Sequence, residues 1–273
     1  MDKQAQNQWS RSISAAVLVL MVLVSGVSLF YPGLYRDNSF VKAVWRGNDA
    51  GTLLVAAPMF AMGLVLSQRG SALGDLIRLG LLDYVLYNFA FYLFASAFNA
   101  LFIPYVLLIV LSMLGLLTGL VGLNTQSVKG CFRDKLPVRW VGGYLIFVAL
   151  GLTTIYLIQV GQFFATGHPP EIIARTGHVT HVVPALDLTL LVPWLVLGGI
   201  WIWHRKPWGY VLSIIMVVKG LLYTLVLAGA SYSAVQAGYP DSAAEIPLWG
   251  SLFLGFAVVF GFAISNLQGK TSA

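Results

Sequence analysis

Leu212-Ser213-Ile214-Ile215-Met216-Val217-Val218-Lys219-Gly220-Leu221-Leu222-Tyr223 is an apolar run interrupted near its centre by one lysine. It reads as the first half of a membrane-spanning helix. An ammonium at that depth costs about 2.5–3.5 kcal/mol even on the lenient insertion scale, so it needs a partner or a water-filled cavity. The partner expected from the sequence is Asp83, in Leu81-Leu82-Asp83-Tyr84-Val85-Leu86-Tyr87-Asn88. Asp83 and Lys219 are expected to be the two formal charges deep inside apolar segments.

The chain has 273 residues, of which 58% are hydrophobic and 10% charged, with a mean hydropathy of +0.82. Soluble domains carry about 25% charged residues, so the membrane class follows directly. The net charge of +6 belongs to basic residues at span ends. No basic cluster with a nucleic-acid motif is present, so a nucleic-acid partner is not expected. The single Cys131 excludes an intrachain disulfide and any multi-cysteine metal site. No Gly-x-Ser-x-Gly elbow, Walker loop, dinucleotide fingerprint or Cys-x-x-Cys-His haem attachment occurs, and no cofactor is assigned.

Eight apolar spans are expected, near 14–31, 50–66, 75–97, 104–123, 140–162, 183–203, 208–230 and 247–265. The first is longer than a signal-peptide core and lacks an Ala-x-Ala site, so it reads as a retained helix. Pro32–Asn48 and Phe163–Val182 read as polar connections, and Trp140 and Tyr144 as interfacial anchors. With eight spans both termini share a side. That side carries eleven Lys and Arg, the other has Arg36, Lys42, Arg46 and Arg175, and Lys219 lies between. The positive-inside rule then makes the termini and the tight basic turns cytoplasmic.

The spans also repeat. Arg69 and Arg205 each precede the buried charge by the same distance, and Tyr87 and Tyr223 follow it at i+4. Thr52-Leu53-Leu54-Val55 with Pro58 matches Thr189-Leu190-Leu191-Val192 with Pro193. Asp49 and Asp187 precede these blocks, and Ile103-Pro104 matches Ile246-Pro247, with Asn124 and Asn266 downstream. The expected architecture is one all-α integral membrane domain, residues 1–273, built as a 4+4 parallel repeat about an axis normal to the membrane. The halves are 1–125 and 139–267, joined by a cytoplasmic linker, 124–139. Such a repeat places Asp83 and Lys219 at equal depth, with Tyr87, Asn88, Tyr223 and Thr224 one turn outward.

Three functions fit these residues. The first is a small transporter or ligand-binding protein with a polar midplane site made of Asp83, Tyr87, Asn88, Lys219, Tyr223 and Thr224 for a small molecule. Intramembrane ionisable groups commonly line such pathways, and Pro58 and Pro193 would break equivalent helices. The second is a membrane-embedded enzyme with an outward His/carboxylate site. His178 and His181 at i, i+3 would offer two metal ligands, with Glu171, Asp49 or Asp187 as a third and His168 nearby; the plainer role for Asp49 and Asp187 is helix capping. The third is a non-catalytic assembly or sensory subunit in which the charge pair is structural.

Gly47-Asn48-Asp49, Tyr87-Asn88-Phe89-Ala90-Phe91-Tyr92, Asn99, Asp187-Leu188 and Arg205-Lys206-Pro207-Trp208-Gly209-Tyr210 resemble strings in uncharacterised bacterial multi-pass inner-membrane proteins. The resemblance spans most of the chain. It implies a bacterial inner-membrane location and a lipid-bilayer partner, and it brings no activity with it.

Overall fold

The computed structural model describes residues 3–31 and 33–268, so Pro32 and Lys270 of the loop and charge assignments lie outside it. Among the described residues eight helices are long and apolar enough to cross a membrane. They are α1 (Lys3–Phe30), α2 (Ser39–Gln68), α3 (Ala72–Ala95), α4 (Phe102–Gly122), α5 (Val138–Thr166), α6 (Val182–Trp203), α7 (Pro207–Gln236) and α8 (Glu245–Ser265). Short helices occupy Thr125–Gly130 and Glu171–Thr176, and one isolated bridge pairs Phe132 with Leu267. A bilayer offers the backbone no hydrogen-bond partners, and helices satisfy every such group within the segment.

Burial separates the helices by role. The apolar window of α3 is 89% buried and that of α7 is 78% buried, whereas no other span exceeds 39%. These two helices pack against each other at the centre. α2 touches both of them. α4 and α1 cover α3, while α6 and α8 flank α7, and α5 lies against α6. The least apolar span, α3, is thus the most enclosed. That is the membrane inverse of a soluble bundle, where polar groups face out: here the polar groups are withdrawn from lipid.

The second span starts earlier than its hydropathy suggests. Asn38 caps α2, its side-chain oxygen accepting the Val41 N–H at 2.9 Å. Phe40, Val41, Trp45, Asn48 and Asp49 form the buried face of this first stretch, while Lys42 and Arg46 stay exposed on the other. Charged residues on one side of an amphipathic helix dilute a hydropathy average without ending the helix. Two expectations therefore change. Lys42, Trp45 and Arg46 belong to a helix rather than a loop, and Asp49 lies buried inside α2 rather than at its cap. Asp187 is likewise internal to α6.

Both α2 and α6 carry a π-helical turn, Thr52–Ala56 and Asp187–Leu191. In each the turn ends two residues before a proline, Pro58 or Pro193. A proline has no N–H to give and its ring crowds the carbonyl four residues back, so the preceding turn widens. After each broken helix comes a tight reversal containing a left-handed residue, Gly70 at φ +77° or Arg205 at φ +50°. A glycine then starts each inner helix, Gly74 or Gly209. A Cβ on either would sit 2.4 Å from the backbone nitrogen of Ser67 or Ile202.

These paired features keep one constant offset from Thr52/Asp187 through Gly74/Gly209. Continued along α3 and α7, that offset sets Lys219 against Tyr84 and Asp187 against Thr52. It is one residue away from the register that equated Asp83 with Lys219.

The charge count and helix order generate a test of topology. Val179 is fully exposed in the α5–α6 connection and Lys135 is exposed in the α4–α5 connection, while the native Cys131 is buried. In intact cells an impermeant thiol reagent should modify Val179→Cys and leave Lys135→Cys untouched until the membrane is opened. Labelling of Lys135→Cys in sealed cells would refute this orientation.

Candidate functional site

Lys219 and Asp83 do meet. The Lys219 ammonium lies 3.1 Å from Asp83 Oδ2, with 1% and 9% of the two side chains exposed. Two further contacts hold the ammonium. It donates to the Leu190 carbonyl of the α6 π-turn at 3.4 Å, and it sits 4.6 Å from the centre of the Tyr87 ring. A cation over an aromatic face is attracted to the ring quadrupole, most strongly where water is excluded. The widened turn thereby helps seat the lysine.

Tyr87 joins this pair to a second carboxylate. Its hydroxyl donates to Asp187 Oδ1 at 2.6 Å, and Tyr156 of α5 donates to Asp187 Oδ2 at 2.5 Å. Tyr223 packs edge-on against Tyr87, with ring centroids 4.8 Å apart. Thr224 bonds back to the Gly220 carbonyl at 2.7 Å. Asn88 stands on another side of α3, where it accepts a bond from Asn48 at 3.0 Å. Of the six residues expected at a midplane site, five thus surround one cluster, and Asn88 instead ties α3 to α2.

The first half holds a comparable arrangement. Asp49 accepts hydrogen bonds from Tyr35 at 2.6 Å and Tyr92 at 2.9 Å. At the other end of the bundle, Arg78 is fully buried. It bonds Ser10 and Ser14 of α1 and Ser67 of α2, with Asp75 at 3.4 Å. Asp83 and Lys219 are therefore not the only deep charges: Asp49, Asp75, Arg78 and Asp187 are buried too. Each is answered by hydroxyl groups or an opposite charge, the condition for burying an ion without prohibitive cost.

A cavity of about 270 Å³ opens beside this cluster. Lys219, Asp187, Tyr156, Tyr223 and Thr224 contribute to its wall, but Asp83, Tyr87 and Asn88 do not. Asp83 lies behind Lys219. The rest of the wall is mainly apolar and aromatic, including Trp45 and Phe40 of α2, Phe91 of α3, Leu152 of α5 and Trp249 and Phe256 of α8. Small-molecule sites typically combine such walls with a few polar groups. Toward the α5–α6 connection it is bounded by Ile172, Thr176, His178 and His181. The short helix Glu171–Thr176 is tied across α2 there. Asn38 donates to the Arg175 and Thr176 carbonyls at 3.0 and 3.1 Å, and Arg175 stacks 4.0 Å from the Phe40 ring centre.

The histidines are part of that rim. His181 Nε2 is 3.1 Å from Gln159 Oε1. Burial holds both imidazoles below the usual histidine range; for His178 the Asp37 carboxylate partly opposes this, and for His181 the neighbouring His178 adds to it. Burial thus favours the neutral imidazole, the form a metal requires. A third ligand is missing, however. Among the described residues no three of His, Cys, Asp and Glu gather as a metal-binding group. The carboxylates of Asp49 and Asp187 are engaged by phenols, and Glu171 and His168 are exposed.

Tyr156, Trp45, Trp249 and Glu245 line the cavity without having been singled out in the sequence. Thr153, Tyr156 and Gln159 form an i, i+3, i+6 polar stripe on α5, and that stripe was a usable signal. Nothing comparable marks the tryptophans, which look like ordinary interfacial anchors. Comparison with protein-family models, curated proteins and solved structures returns no match.

The ion pair generates a stability test. Lys219→Met or Asp83→Asn alone strands the partner charge, and each should destabilise the protein by about 3–5 kcal/mol. The double variant should recover much of that loss because nothing charged is left unpaired. Unfolding of all three in detergent gives the coupling, and additive single effects would disprove the pairing.

Proposed function

We propose that this chain is a multi-pass membrane protein that binds a small, mainly apolar molecule in the cavity beside Lys219 and Asp187. The observation that carries the proposal is the junction itself: an apolar chamber of about 270 Å³ ends on a network of buried ionisable groups. A purely structural ion pair needs no chamber. By the distribution of basic residues, the chamber opens to the external side of a bacterial inner membrane, with both termini cytoplasmic.

One set of observations favours a transport role for this site. The π-turns and prolines of α2 and α6 fall at matching places, and α6 supplies the Leu190 carbonyl to Lys219. Broken helices at a repeat interface are where transporter sites are built. In this reading the chain is a tandem duplication. The Thr52–Tyr84 hydroxyl bond, 2.8 Å, is the first-half counterpart of the Asp187 turn and Lys219.

Access to the chamber tests the proposal. Leu227 lies on its wall from α7. A small impermeant thiol reagent added on the Val179 side should modify Leu227→Cys, and the same reagent on the Lys135 side should not. Leu227→Trp should close the chamber and remove any small molecule that copurifies, as read by native mass spectrometry. An unreactive Leu227→Cys, in a protein whose Val179→Cys reacts, would defeat the binding proposal.

A further inference from the structure

The wall of the cavity carries information about its ligand that the ion pair alone does not. This inference rests on the binding proposal above and asks what class of molecule fits.

Charge is the first filter. Besides the rim histidines and the phenols of Tyr156 and Tyr223, the ionisable wall groups are Lys219, Asp187 and Glu245, and Asp83 stands directly behind Lys219 at 3.1 Å. Two carboxylates, Asp83 and Asp187, therefore face one ammonium that is already paired, and Glu245 adds a third carboxylate elsewhere on the wall. In a low-dielectric enclosure that balance repels a carboxylate or phosphate headgroup.

Hydrogen-bond supply is the second filter. The indole nitrogens of Trp45 and Trp249 are buried and have no partner, and both residues line the cavity. Trp45 is only 1% exposed. Nε2 of His178, on the same wall, is also buried and unpartnered. An indole N–H can only donate, and buried donors ordinarily have an acceptor. The wall carboxylates take hydroxyl groups and not these indoles. Asp187 takes the Tyr87 and Tyr156 hydroxyls, and Glu245 takes the Ser231 hydroxyl at 2.7 Å. A lipophilic ammonium would satisfy the charge but would offer the indoles no acceptor.

We infer that the ligand is a neutral, largely hydrocarbon molecule bearing carbonyl or ether oxygens, of the kind represented by an alkyl-substituted quinone. Its oxygens accept from Trp45 and Trp249, and its apolar body lies along Leu152, Phe91 and Phe256. The neutral form avoids the carboxylates, and the oxygens answer the indoles; neither a fatty anion nor a lipophilic cation does both.

The test compares three probes of equal chain length on the Leu227→Cys protein in lipid nanodiscs. They are a fully ring-substituted decyl-benzoquinone, which has no free ring position for thiol addition, decylpyridinium and decylbenzoate. The readout is protection of Leu227→Cys from the thiol reagent. The quinone should protect, and Trp45→Phe or Trp249→Phe should weaken its protection about three- to tenfold, the size of one lost hydrogen bond. Each of these variants keeps an aromatic ring in place, and an unchanged melting temperature shows that the fold is intact. Equal or better protection by decylpyridinium or decylbenzoate would overturn the ligand class while leaving the binding proposal standing. Quinone protection untouched by both tryptophan variants would also overturn it. Protection by none of the three, with Leu227→Cys still reactive, would reject the class, whereas an unreactive Leu227→Cys would remove the cavity reading itself.

Discussion

A charge inside a bilayer has to be answered by the protein, and that constraint organises this molecule from its centre outward. Lys219 enters an otherwise apolar helix and finds Asp83, the Leu190 carbonyl and the Tyr87 ring. These come from α3 and α6, so seating one ammonium fixes three helices relative to one another. Tyr87 passes the connection to Asp187, and Tyr156 brings in α5. The gain is in specificity rather than in raw stability. Buried ion pairs often do no better than a packed apolar substitute, while half of such a pair is strongly unfavourable. Packing alone is a weak discriminator between helices in lipid, where interhelical polar contacts select among arrangements.

The same logic explains why α3 lies at the centre although it is the least apolar span. Asp75, Arg78, Asp83 and Asn88, with bonds from Arg78 to α1, from Asn88 and Tyr92 to α2 and from Tyr87 to α6, leave it no face that lipid could wet cheaply. The more apolar helices α1 and α4 then take the lipid-facing positions. Polar content, not hydropathy rank, decides which helix is enclosed.

Much of this was legible in the residues. The eight spans, the helical class and the Asp83–Lys219 contact follow from hydropathy, charge placement and the cost of a lone ammonium. Three things were not. The start of α2 was hidden because Lys42 and Arg46 share one exposed face of an amphipathic turn. The burial of Asp49 and Asp187 was hidden because an aspartate before an apolar run looks like a cap, and only the fold brings the tyrosines that satisfy it. The constant offset of the paired π-turns and glycines was hidden because the letter matches, Thr52 with Thr189, Pro58 with Pro193 and Arg69 with Arg205, do not share one spacing. The cavity was beyond reach for a related reason: its wall draws on α2, α3, α5, α6, α7 and α8 and on the α5–α6 connection, and no single segment carries its outline.

The one-residue difference in register bears on the Asp83–Lys219 contact. If Thr52 and Tyr84 occupy the places that Asp187 and Lys219 hold in the other half, the first half keeps a neutral hydroxyl pair where the second has a carboxylate and an ammonium. The two halves then differ in charge at a position where their geometry agrees. Asp83, one residue before Tyr84, becomes the counter-ion that the second half lacks within its own helix. The pair across α3 and α7 therefore joins positions that do not correspond under the offset of the two π-turns. The chamber forms against Lys219 and Asp187, with its wall drawn mostly from the second half and α2. A symmetric bundle with identical halves would have placed like charges opposite each other at its axis, the arrangement that a low-dielectric interior tolerates least.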